Sequence, residues 1–282
     1  MRWTPGGKSD DLEDRRAEGG GGGGIGGVHL GIGGFLILLV LSVVFKKDFF
    51  SLVGGQGVST GPAVSQPDPQ RDAREEPLVQ FVSFVLDDTQ KTWAGILQQQ
   101  GIPYQHAKLV LFRDVTSSGC GAAQSATGPF YCPADQKVYI DLGFYDELQR
   151  RFGAPGQFAQ AYVLSHELGH HIQNLLGIES KVRSLQGRDP GSENALSVRM
   201  ELQADCFAGV WAKSTQQRNL LESGDVESAL GAAAAVGDDR LQRMSRGQVS
   251  PDSFTHGSSA QRIEWFQRGM NGGTIESCNT FQ

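Results

Sequence analysis

Two histidines four residues apart, with a glutamate directly after the first, constrain this chain more than any other feature. They are His166-Glu167-Leu168-Gly169-His170, inside Ala161–Leu176, where Ala161, Leu164, Leu168, Ile172 and Leu175 recur every three or four residues. That recurrence predicts a helix with one apolar stripe. Side chains four apart share a helix face. His166 and His170 therefore fall together, roughly opposite the stripe, and can reach one metal ion. Glu167 can lie beside that ion and not on it, placed to take a proton from an activated water. Gly177 supplies a helix stop. His171 is out of step by one residue and reads as a bystander or as a group behind the ligands. An ordinary amphipathic helix with two surface histidines is the competing reading, and the rest of the chain has to choose between them.

A hydrolytic metal site needs a third protein ligand and one position left for solvent. An extended motif with a third histidine is excluded, because Gln173 and Leu176 stand where its glycine and histidine would be. The next predicted helix, Asn194–Gln216, offers Glu201 and Asp205 on one face, with Ala204 between them small enough for close helix approach. Glu201 completes a His₂Glu set, and Asp205 then accepts the Nδ1–H of a ligand histidine. The exchange of these two roles stays open at this point, as does a pair of solvated acids.

The 282 residues carry a formal net charge of −6, which gives no basic footprint for nucleic acid. Residues 1–24 combine a polar leader of both charge signs with the glycine tract Gly19–Gly24 and are expected to be disordered. Ile25–Phe45 contains no charged residue and is long enough to span a bilayer as a helix. It is expected to be an uncleaved anchor, followed by a flexible Gly/Pro-containing linker over residues 46–76 and a folded domain over 77–282. Lysines and arginines flank the apolar run on both sides, so orientation is weakly specified. The cysteines, Cys120, Cys132, Cys206 and Cys278, form no C-x-x-C pair. Their even number behind an anchor fits two disulfides in an oxidising compartment, and hence a single-pass cell-membrane protein with an extracytoplasmic domain.

Within the domain, Leu78–Gln100 has helical spacing, and Ala107–Arg113, Phe130–Cys132 and Lys137–Asp141 read as strands. In the last, Val138 and Ile140 alternate with Lys137, Tyr139 and Asp141, as in a sheet covered on one face. Phe144–Arg151 suggests a short helix. Beyond the metal helix, Glu179–Glu193 reads as a loop, Val226–Ala235 and Ser258–Gly269 as helices, and Asp238-Asp239 as a solvated helix end. Ser258 is a candidate N-cap with Gln261 at the reciprocal position. Strands before the metal helix and helices after it give an α+β class.

The combination His166-Glu-Leu-Gly-His170 with Glu201-x-x-Ala204-Asp205 resembles the gluzincin metallopeptidases. More closely, the chain is similar to bacterial single-span neutral zinc metallopeptidases, through H-E-L-G-H-H-I-Q at His166–Gln173, G-P-F-Y-C-P at Gly128–Pro133, and Thr255–Gly257, Arg262, Trp265 and Phe266 near the end. The resemblance implies a zincin-like catalytic domain behind one transmembrane helix, Zn²⁺ on His166, His170 and Glu201, Glu167 as general base, and a polypeptide substrate. It also implies a sheet edge beside the metal that pairs with an extended peptide, for which Gly128–Asp141 supplies Tyr131, Val138 and Tyr139. His256 is implied as a donor to the tetrahedral oxyanion. Arg262 would orient a ligand carboxylate or bind a substrate carboxylate. Two other readings remain: a non-enzymatic anchored domain that keeps zinc for structure or partner binding, and a hydrolase of a non-peptide amide such as a cell-wall bond.

Overall fold

The computed structural model describes residues 1–17, 69–125 and 128–281. A four-stranded sheet lies on one side of the molecule, in the order β1-β2-β6-β5. Strand β1 is Leu12–Asp14, β2 is Lys108–Phe112, β5 is Phe130–Cys132 and β6 is Lys137–Asp141. The first three neighbours run parallel, and β5 closes the sheet antiparallel to β6. Leu109, Val110, Leu111 and Phe112 are all buried, as a central strand with neighbours on both sides and packing on both faces requires. A separate hairpin, β3 (Val115–Ser118) with β4 (Gly121–Gln124), follows β2, and a Cys120–Cys132 disulfide ties its tip to β5.

The alternation in β6 suggested one open face, and the structure differs. Tyr139 is 1 % exposed, inside a small cluster with Val110, Phe112, Ala123 and Cys132. Phe130 stacks on it at 5.0 Å between ring centroids. The hairpin supplies this second cover, and it was not legible in the short, small-residue strands that build it.

Helix α1 (Pro69–Gln99) starts nine residues before the expected helix start and contains Pro77. Its buried side chains include Val82, Leu86, Trp93 and Leu97. Then come α2 (Gly143–Arg150), the metal helix α3 (Gln157–Leu175), α4 (Ile178–Arg188), α5 (Glu193–Gln217), α6 (Asp225–Ala235), α7 (Asp238–Arg246) and α8 (Ser259–Gly272). Helix α4 occupies what read as a loop. It is a surface helix that buries only Val182; Ile178, Val182 and Leu185 stand at helical spacing, a short signal among polar residues. Helices α5 and α8 touch backbone to backbone: a Cβ on Gly269 would lie 1.9 Å from the Cys206 carbonyl oxygen. A Cys206–Cys278 disulfide fastens the chain end to α5.

The expectation of a single-span anchor is corrected. Among the described residues no helix is long and apolar enough to cross a membrane. The run Ile25–Phe45 lies outside the described residues. The geometry on either side of it also conflicts with one span, which would put the leader and the domain on opposite sides of a bilayer. Residues 1–17 instead belong to the domain. Leu12–Asp14 pairs with Leu109–Leu111, Trp3 packs on Phe81 and Phe84, and Arg16 bonds Asp14 and Glu75. The membrane partner, the cell-membrane location and the disordered state expected for these first residues are withdrawn together. Sequence patterning missed this docking because the leader is held largely by ion pairs to groups far along the chain, which composition does not reveal.

Candidate metal centre and cleft

Helix α3 presents the motif as expected. His166 and His170 lie with ring centroids 4.9 Å apart, facing α5. The helices approach closely because the residue just before His170 is glycine: a Cβ at Gly169 would sit 2.9 Å from the Ala204 carbonyl oxygen. This closeness brings the Glu201 carboxylate to the two imidazoles. Its Oε2 is 3.2 Å from His166 Nε2, and its Oε1 is 3.4 Å from His170 Nε2.

The far side of each ring is held. His166 Nδ1 is 2.8 Å from Asp205 Oδ1, and His170 Nδ1 is 2.8 Å from Gln173 Oε1. Carboxylate and amide oxygens only accept, so each Nδ1 carries a proton and Nε2 is the nitrogen turned to Glu201; a metal ion bound there would take the place of the Nε2 proton. Gln173 is fixed in turn by donating to the Met200 carbonyl at 2.7 Å and to Gln203 Oε1 at 3.1 Å. Asp205 is fully buried and clamped by Arg262, whose Nε donates to Oδ2 at 2.8 Å and whose Nη2 donates to Oδ1 at 2.9 Å. The Tyr162 hydroxyl also donates to Oδ1. Asp205 is thus engaged behind His166, while Glu201 faces the convergence point.

Among the described residues, His166, His170 and Glu201 form a group whose ligand atoms all lie within 4.8 Å of one another, and it could hold a metal ion. Tetrahedral bonds of about 2.0–2.1 Å separate ligand atoms by about 3.3 Å, close to the contacts Glu201 makes with both Nε2 atoms. The electrostatics agree. Burial resists charge on His166, but Asp205 and Glu201 outweigh it and push the ring up to about 10. Burial likewise opposes ionisation of Glu201, yet the two histidines hold it well below the usual carboxylate range. Here the protonated rings balance the carboxylates; a metal ion between them would replace those protons, and the donor set fits one.

Glu167 lies on the same helix and lines the cleft in front of the two histidines, which has a volume of about 490 Å³. Phe144, Val163, Val236 and Leu241 give the cleft apolar walls, and β5 contributes Phe130 and Tyr131. Of the three residues expected along a substrate edge, only Tyr131 is on an edge strand. Val138 and Tyr139 lie in β6, between β2 and β5, and are buried, so their backbone is already paired on both sides. Strand order depends on the whole sheet, which the local pattern did not encode.

His256 also lines the cleft, from the loop before α8. Asp238 organises that loop. Its Oδ2 accepts the backbone N–H groups of Thr255, His256 and Gly257 at 2.7, 2.6 and 3.0 Å, and its Oδ1 lies 3.2 Å from His256 Nδ1. Asp238 is therefore buried and not a solvated helix end, and Asp239 accepts from Ser259. Ser258 and Gln261 form the expected reciprocal cap on α8. Sequence reasoning read Asp238 as a solvated helix end and gave Gln173, the last residue of H-E-L-G-H-H-I-Q, no role; the i, i+3 spacing of Gln173 from His170 was the available signal.

The family model described as "Putative neutral zinc metallopeptidase" matches residues 1–281. The chain belongs to this family. It is 51% identical over 287 residues to the uncharacterised protein YpfJ of Escherichia coli (strain K12), covering 100% of this chain and 99% of that one. It is also 44% identical over 189 residues to the uncharacterised protein Rv2575 of Mycobacterium tuberculosis (strain ATCC 25618 / H37Rv), covering 63% of each. No solved structure matches the chain. The family match extends over residues 1–17, consistent with their place in the fold.

Proposed function

We propose that this chain is a zinc-dependent endopeptidase acting on extended polypeptide. The observation that supports this most is the meeting of two imidazole Nε2 atoms and one carboxylate, each Nδ1 held by an acceptor, with Glu167 lining the same cleft. Zinc held by His166, His170 and Glu201 would polarise a scissile carbonyl and acidify a water molecule.

The other steps belong to the protein. Glu167 accepts the proton of the attacking water and passes it to the leaving amine. Asp205, clamped by Arg262, keeps His166 in one tautomer. His256 turns its Nδ1–H to Asp238, which against the resistance of burial favours the protonated ring, and the Nε2–H of that ring is then able to donate to the oxyanion of the tetrahedral intermediate. The free side of β5 offers backbone groups to a substrate strand, and the apolar walls take side chains.

The test is cleavage of an unfolded protein by purified chain loaded with zinc, beside Glu167→Gln. The variant is expected to keep its metal and lose at least 10²-fold in rate. Equal cleavage by variant and wild type would refute the mechanism.

A further inference from the structure

His171, one residue beyond the second metal ligand, is fully buried and does not line the cleft. Its Nε2 lies 2.6 Å from the Gln105 carbonyl oxygen, on the segment leading into β2. A carbonyl only accepts, so Nε2 carries a proton. The other ring nitrogen, Nδ1, is 3.0 Å from Tyr131 Oη. The Tyr131 hydroxyl accepts from Asn174 Nδ2 at 3.0 Å, which turns its own proton toward Nδ1, so Tyr131 donates to His171. Donor and acceptor assignments are consistent along the whole relay, from Asn174 through Tyr131 and His171 to Gln105. The His171 ring is also flanked by Tyr104 and Tyr131, at 5.8 and 5.4 Å between centroids.

Two of these four groups sit on the metal helix, and a third sits on the edge strand. Strand β5 has 3 residues and, among the described residues, pairs with β6 alone, so its own ladder fixes it weakly. Pro129 and Pro133 on either side lack N–H groups, which narrows the backbone available to a substrate strand to one short stretch. The placement of that stretch relative to His166 and His170 then depends on how β5 is fastened to α3.

We infer that His171 is a positioning residue that, through the Tyr131 hydroxyl, fixes the height and register of the edge strand against the metal ligands. The inference rests on the reading of the cleft as a peptide-binding site, and it concerns substrate placement, not metal binding or proton transfer. Neither His171 nor Tyr131 belongs to the metal-ligating group, and of the two only Tyr131 lines the cleft.

Three variants separate the relay from mere packing. Tyr131→Phe keeps the ring and removes the hydroxyl. An asparagine at 171 places an acceptor oxygen near the position of Nδ1, and a glutamine places a donor near Nε2. Steady-state cleavage of a short internally quenched peptide is measured with zinc content and with hydrogen exchange at residues 130–132. Tyr131→Phe and His171→Gln are expected to raise KM roughly five- to tenfold, with kcat within about twofold and full metal content. They should accelerate exchange in β5 by a similar factor. His171→Asn should stay within about twofold of wild type, and Tyr131→Phe combined with His171→Gln should be no worse than either alone.

An unchanged KM and unchanged exchange in Tyr131→Phe would overturn the inference. So would equal damage from His171→Asn and His171→Gln, which would mark a packing role. A wild-type protein that binds zinc and cleaves nothing would defeat the peptidase reading, while the exchange of β5 would still decide whether the relay holds the strand.

Discussion

Asp205 Oδ1 lies 2.8 Å from His166 Nδ1, and on the other side of that ring Nε2 lies 3.2 Å from Glu201. Helix α5 therefore grips one imidazole from both ends, four residues apart, and turns its Nε2 to the ligand point. The same carboxylate is held by Arg262 from α8. Three helices thus fix the orientation of a single ring. Replacing Asp205 by Asn removes the charged acceptor and leaves the Arg262 guanidinium only the longer ionic contact to Glu201, at 3.9 Å. Metal affinity should fall about 10- to 100-fold, read by competition with a chelator, and an unchanged affinity would show that the carboxylate does not govern the tautomer.

Gly169 is the position where α3 and α5 come into contact. Its missing Cβ would lie 2.9 Å from one Ala204 backbone atom and 3.0 Å from another. Backbone cannot swing aside as a flexible side chain does. Gly169→Ala is expected to cost about 1–3 kcal/mol in denaturant unfolding and to weaken metal binding by moving Glu201 outward. Full stability with unchanged metal affinity would contradict the close approach.

The metal helix was legible because two independent signals coincide in it: the apolar repeat sets the helix, and the histidine spacing sets its polar face. Glu201 and Asp205 were legible for the same reason, since a spacing of four on a helix is a spatial statement. What was not legible was decided by partners far away in the chain. Residues 1–17 look unstructured as a string, yet Arg16 meets Glu75 and Ser9 meets Asp87. Val138 and Tyr139 read as edge residues until the sheet order placed β5 outside them. Asp238 gained its role only when folding brought the His256 loop to it.

The docked leader carries a pH dependence of definite sign. Burial works against ionisation of Asp11, but Lys108 and His106 outweigh it and hold the carboxyl below its ordinary value. Burial opposes ionisation of Glu13 and Glu75 as well, and is overcome by Lys137 and Arg15 for the first and by Arg113 and Arg16 for the second. The Arg16 guanidinium is the main cause that depresses Asp14. Groups with depressed folded pKa values stabilise above their unfolded values, near 4, and lose that contribution as pH falls through the folded ones. Protection of the Leu109 amide, which donates to Asp11 O, should be flat from pH 8 to about pH 5 and drop below about pH 4. Protection lost on raising the pH would reverse the sign and refute the assignment.

The most direct measurement is the anomalous scattering of zinc in crystals of the full chain grown with stoichiometric metal. The account expects one strong peak about 2.0–2.1 Å from His166 Nε2, His170 Nε2 and a Glu201 oxygen, with Glu167 nearby but not bonded to it. A peak that omits Glu201, or one closed by Glu167 as a fourth protein ligand, would contradict the account and leave no open position for hydrolysis.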